Sequence, residues 1–142
     1  MMRRFFQLRA LHLRIGRRGE TTAIKLLRQK HYDILARNVD DPAGEIDIIA
    51  RDGGIMVFIE VKTRRAVTAA RPAAGLNPRQ QLRIVNAARR YLRRIENPAV
   101  PYRFDLIEVR LSRFGVAELR HWQDHFSESS LRYYRRALRE DG

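Results

Sequence analysis

The residues best suited to chemistry lie in one stretch, GEIDIIARDGGIMVFIEVKTRR, which runs from Gly44 to Arg65. It sets Glu45, Asp47, Glu60 and Lys62 among residues that are otherwise mostly Ile, Val and Phe. The RDGG segment is a hairpin signal. With Gly53 and Gly54 as a two-residue loop, Ala50 faces Val57, Asp47 faces Glu60, and Glu45 faces Lys62. Side chains alternate along strands, so the four charged groups fall on one face and Ile46, Ile48, Ile59 and Val61 on the other. Directly opposed Cβ atoms lie about 4.5 to 5.5 Å apart, which puts the Asp47 and Glu60 carboxylates within reach of one divalent cation. Hard oxygen donors suit Mg2+ or Mn2+, which keep waters and open positions for phosphate oxygens. Without a cation the pair must take up a proton or repel. A three-residue loop would instead part Asp47 from Glu60, and a cross-strand ion network neutralised by Lys62 would gather the same charges without chemistry.

Such a hairpin needs elements to hold it. Residues 17 to 31 show helical spacing, with Glu20, Ala23, Ile24, Leu27 and His31 on one face. A short strand over 32 to 39 follows, then the turn cluster DDPAG and the two hairpin strands, 44 to 50 and 55 to 63. Residues 64 to 76 read as a basic, alanine-rich loop. Asn77 and Pro78 form an N-cap and first turn, and Leu82, Val85, Ala88, Leu92 and Ile95 recur at helical spacing with Arg79, Arg83 and Arg90 on another side. YRFDLIEVRL and VAELRHWQ read as strands joined across SRFG. The pattern makes one domain over residues 14–126, with a basic N-terminal extension over 1–13 and a basic helix or arm over 127–142.

The composition narrows the partners. The 142 residues carry 29 Lys and Arg against 16 Asp and Glu, a formal net charge of +13. An imbalance of that size points to a polyanion, with nucleic acid ahead of an anionic membrane surface. Lys25, Lys30 and Lys62 are the only lysines among the bases. A lysine at 62 therefore goes against the trend, as expected where a compact ammonium is needed and a planar guanidinium does not fit. The absence of cysteine excludes disulfides, thiolate metal sites and a cysteine nucleophile. His121 and His125 have i, i+4 spacing, but Trp122 stands where H-E-x-x-H requires glutamate. Arg9 and Arg14 break the apolar run of the N-terminus, which argues against a signal peptide, and no apolar stretch is long enough to span a bilayer. The expectation is a cytoplasmic protein.

The order Asp47, then Glu60-Val61-Lys62, matches the nuclease pattern of an Asp followed on the next strand by Glu-x-Lys. More closely, GRRGE, LARN, GEIDIIARDG, VFIEVKTRR and YRFDLIEV resemble the YraN family, bacterial proteins assigned a restriction-endonuclease-like fold. The resemblance implies an α/β fold with a mixed central sheet flanked by helices. It further implies Asp47 and Glu60 as metal ligands, Val61 contributing only its backbone carbonyl, and Lys62 orienting water or stabilising phosphate charge. Glu20 resembles the additional acidic residue that such nucleases supply from a helix. Two segments depart from the family. Arg79-Gln80-Gln81 keeps Gln81 but lacks the usual lysine, and HWQDHF replaces a pattern ending in Ala-Phe.

The expected function is divalent-metal-dependent hydrolysis of phosphodiester bonds in nucleic acid, DNA favoured, including branched or otherwise structured DNA. Arg64, Arg65, Arg71, Arg79 and Arg83 are the candidate phosphate contacts, which position a strand without reading its sequence. Glu45 and Gln81 are secondary candidates. Mg2+ or Mn2+ is the expected cofactor, with no small-molecule cofactor, and self-association is compatible with the sequence. The alternative is a nucleic-acid-binding protein on a nuclease fold without catalysis.

Overall fold

A two-glycine turn sets the register of the central hairpin. In the computed structural model, which describes residues 2–65, 75–132 and 136 and side chains from residue 15 onward, β2 (Gly44–Asp52) pairs antiparallel with β3 (Ile55–Arg65). Asp52 pairs with Ile55, Ala50 with Val57, and Ile48 with Ile59, as a two-residue loop requires. Gly53 takes φ 58° at the first central position, the pattern of a type II′ turn, which glycine adopts without steric cost.

The sheet has five strands in the order β1-β2-β3-β4-β5, with β1 at Asp33–Asp41, β4 at Tyr102–Ser112 and β5 at Gly115–Phe126. Only the β3 and β4 pairing is parallel, so the sheet is mixed. A parallel pair needs a crossover, and α2 (Pro78–Arg94) lies within it. The start of α2 is set by a reciprocal cap. Gln80 N donates to Asn77 Oδ1 at 2.9 Å and Asn77 N donates to Gln80 Oε1 at 3.1 Å, with Pro78 at the first turn. Caps of this kind contribute about 1 kcal/mol.

The other helix, α1, spans Met2–Gln29 and so begins well before the expected residue 17. Arginine is a good helix former, so the arginines that interrupt the apolar run do not interrupt the helix. Its far end comes sooner than expected: His31 has φ 64°, is exposed, and is not part of the apolar face that Ala23, Ile24 and Leu27 bury. Among the described residues, no helix is long and apolar enough to cross a membrane.

Two apolar layers sandwich the sheet. On the α1 side, Ala23, Ile24 and Leu27 pack with Ile48, Val57, Ile59, Ile107 and Val109. On the α2 side, Ile84, Val85 and Ala88 pack with Ile46, Ile49, Phe58, Phe104 and Leu106. Leu82 is only partly buried and Ile95 is 38% exposed, so the buried stripe of α2 is shifted toward Ile84 and Ala87. The result is a restriction-endonuclease-like α/β architecture with a helix on each face.

Near the end of α1 a charged network is buried and fully partnered. Asp105, with no exposed surface, accepts from Arg103 Nε at 3.0 Å and from the Asp124 amide at 2.9 Å. Lys30 Nζ lies 2.8 Å from His121 Nδ1 and can only donate, so His121 Nε2 carries the proton it gives Asp105 Oδ2 at 2.7 Å. Burial alone would raise the Asp105 carboxyl, but His121 and Arg103 hold it below its ordinary value. The basic tail beyond residue 132, apart from residue 136, lies outside the described residues.

Candidate functional site

The paired ladder of β2 and β3 ends at Ile48 and Ile59, one step short of Asp47 and Glu60. At that point both β2 and its neighbour β1 turn over. Asn38 lies between the Arg37–Ile48 and Val39–Ile46 pairs with φ 49°, a left-handed conformation that asparagine tolerates better than most residues. In consequence Ile46 joins the α2-side core while Ile48, Ile59 and Val61 face α1. The expected grouping of Ile46 with Ile48 on one face therefore does not hold, and simple alternation does not align the four charges.

Where the ladder opens, the Asp47 carboxylate takes its place: Val61 N–H donates to Asp47 Oδ2 at 2.8 Å. The N–H and C=O of a strand residue point the same way, so the Val61 carbonyl also points toward β2. The Asp47 and Glu60 carboxyls adjoin, close enough for each to shift the protonation of the other. Lys62 Nζ lies 3.9 Å from Glu60 Oε1, with the two side chains 30% and 19% exposed. The expected approach of Lys62 to Glu45 is not formed. Once β2 and β3 part, Glu45 follows β1, pairs with Asp40, and is exposed.

The electrostatics at this opening are those of crowded acids. Burial, then the neighbouring Asp47, pushes the Glu60 carboxyl up to about 8, against the pull of Lys62. Burial also raises Asp47, opposed by the Val61 amide, Glu60 and Lys62. Burial and Asp47 raise Glu20, and burial with Asp47, Asp40 and Glu20 raises Glu45. Four carboxyls thus converge electrostatically in a chain of net charge +13. Among the described residues, no three acidic or imidazole side chains form a metal-binding group by themselves. The donor set on offer is Asp47, Glu60 and the Val61 carbonyl. That set fits a hard divalent cation, which completes its shell with water and phosphate.

Glu20 reaches this opening because of the residue before it. A methyl group at Gly19 would overlap the Thr63 hydroxyl and lie 2.9 Å from Thr63 Cβ, so glycine lets α1 close onto β3 beside Glu60-Val61-Lys62. Asn38 and Arg37 beside Glu20 act to lower its carboxyl, against burial and Asp47. Neither Gly19 nor Asn38 was singled out by motif reasoning. An asparagine within a strand, in the LARN segment, was the visible signal.

The expected phosphate contacts are distributed. Arg64 and Arg65 continue β3, where a loop was expected, and pair with Arg110 and Leu111 of β4. Arg79 and Arg83 are exposed on α2. Arg71 lies outside the described residues. Gln81 is engaged locally, its amide donating to the Leu76 carbonyl at 2.8 Å.

A profile of the Uncharacterised protein family UPF0102 matches residues 19–109, a span that includes Gly19, Glu20, Asn38, Asp47 and the Glu60-Val61-Lys62 run. A UPF0102 protein of Chlorobaculum parvum is 42% identical over 109 residues, covering 77% of this chain and 84% of the relative. Another, from Symbiobacterium thermophilum, is 41% identical over 113 residues, covering 80% and 96%. On this coverage and identity, the chain belongs to the uncharacterised protein family UPF0102, the YraN family that its motifs resemble.

Proposed function

We propose that this protein is a nuclease that hydrolyses phosphodiester bonds in DNA with Mg2+ or Mn2+ held by Asp47, Glu60 and the Val61 carbonyl. The observation that carries the proposal is the grouping at the opened hairpin of Asp47, whose Oδ2 accepts from the Val61 amide at 2.8 Å, with Glu60 and with Lys62 3.9 Å from Glu60. When bound, the metal supplies a Lewis acid for a phosphate oxygen and an acidified water. The protein does the rest. Ionisation of Glu60 releases the proton that burial and Asp47 hold there, and completes the anionic donor set. The Val61 amide keeps the Asp47 carboxylate turned into the opening. Lys62 places its ammonium where charge builds on the phosphate as water adds and the ester bond to the leaving oxygen breaks. Glu20 adds negative potential on the α1 side. Arg64, Arg65, Arg79 and Arg83 hold the strand through its phosphates, independent of sequence.

The test is Mn2+-dependent cleavage of nicked, branched and single-stranded DNA by the wild type and by Glu60→Ala and Lys62→Ala. Each substitution is expected to lower the rate by about 100-fold or more. Equal activity in all three proteins would place any cleavage at another site. DNA binding without cleavage by any of them would leave a binding protein on a nuclease fold.

A further inference from the structure

The face of the sheet that carries Glu60 continues past the end of α2, and its cross-strand rows can be followed. Glu60 pairs with Leu106 of β4, and Leu106 pairs with Trp122 of β5, so the three side chains form one row on the α2 side. Two strand spacings separate the ends of that row, roughly 10 Å. The next row runs from Lys62 through Glu108 to Arg120.

Trp122 is 37% exposed, although it sits beside a well-packed core. Its indole N–H donates to Glu108 Oε1 at 2.9 Å, which pins the edge of the ring. The Arg120 guanidinium lies 5.9 Å from the ring centroid and is itself held by Glu118 at 2.5 Å. With its polar edge satisfied and its ring flanked by Arg120 and by His125, whose ring centroid lies 6.3 Å away, Trp122 still leaves more than a third of its surface open among the described residues. Bases stack on such surfaces without regard to sequence. The acids of this face, Glu108 and Glu118, are engaged with Trp122, Arg110 and Arg120. Lys62 and Arg64 supply positive charge on the same strand as Glu60, in the rows of Glu108 and Arg110.

Building on the nuclease reading above, we infer that Trp122 is a stacking platform for one unpaired base, about a nucleotide away from the phosphate held at Asp47 and Glu60. The substrate class is then DNA with an unpaired base next to the scissile bond, such as a flap, a branch or a single strand, in preference to blunt duplex.

Trp122 is the only tryptophan in the chain, so its emission reports directly on stacking. The full-length protein, in chelator so that nothing is cut, is titrated with a single-stranded oligothymidylate and with an abasic strand of equal length. Emission and the anisotropy of labelled strands are followed together. The oligothymidylate should quench the emission at saturation and the abasic strand should bind with little quenching. Trp122→Leu should weaken oligothymidylate binding about 10-fold and leave abasic binding within about twofold, while Trp122→Phe keeps most of the affinity. Saturable binding with unchanged emission, or wild-type affinity in Trp122→Leu, overturns the platform while leaving metal-dependent cleavage at Glu60 intact. Quenching without cleavage by the wild type overturns the nuclease reading and leaves the platform standing. Absence of binding to either strand overturns the platform and leaves the nuclease reading to the cleavage test.

Discussion

A carboxyl with a pKa of about 8 in the folded chain and 4.5 in the unfolded chain keeps its proton in the native state where the unfolded chain has lost it. Stability therefore falls as pH rises from about 4.5 to about 8, because the folded state binds the extra proton in that window. Asp47 acts in the same direction. The metal-free protein should lose thermal stability across this range, and Glu60→Gln, which cannot ionise, should lose less. By about pH 8 the variant should exceed the wild type by on the order of 1 kcal/mol. Adding Mn2+ should reverse the order, since it stabilises only the protein with both carboxylates. Thermal melts at several pH values, with and without Mn2+, check both signs. Parallel pH profiles of wild type and Glu60→Gln would show that the pair is not coupled as described.

At the scale of elements, the site depends on how closely α1 approaches β3 and on where β2 leaves it. Gly19→Ala should force α1 away from Thr63, costing roughly 1 to 3 kcal/mol as overpacking does, and move Glu20 away from Asp47. Stability in urea and Mn2+ affinity should fall together, and a stable variant with unchanged affinity would remove α1 from the account. These two elements also show how much was legible. The Gly53 and Gly54 turn announced its register because a two-residue hairpin loop leaves one pairing, and the Asn77 cap announced α2. The turnover at Asn38 and Asp47 was not legible from alternation. It replaces a ladder step with a bond from a side chain to a backbone amide, and nothing in the hydrophobic pattern of GEIDIIA marks it. It broke the expected contact of Glu45 with Lys62 and kept Asp47 with Glu60. Gly19 was hidden for a related reason: a glycine in a helix gains its meaning only from Thr63, on another element.

At the scale of the whole molecule, a net charge of +13 surrounds a small acidic opening. In the proposed function the basic charge draws in the phosphate backbone, and the acids repel it unless a cation stands between them. DNA binding should therefore be steeply salt-dependent. The proposed phosphate contacts of Arg64, Arg65, Arg79 and Arg83 should give a logarithmic slope of roughly −3 to −4, reduced by about 1 in Arg64→Ala. A slope unaffected by that change would take Arg64 off the binding path. Calorimetric titration of the full-length protein with Mn2+, in two buffers of different ionisation heat, reads its stoichiometry and proton release together. One strong site per chain is expected, with release of protons near neutral pH as Glu60 ionises and loss of that site in Asp47→Asn and Glu60→Gln. Absence of saturable binding in the wild type, or equal binding in all three proteins, would contradict this expectation.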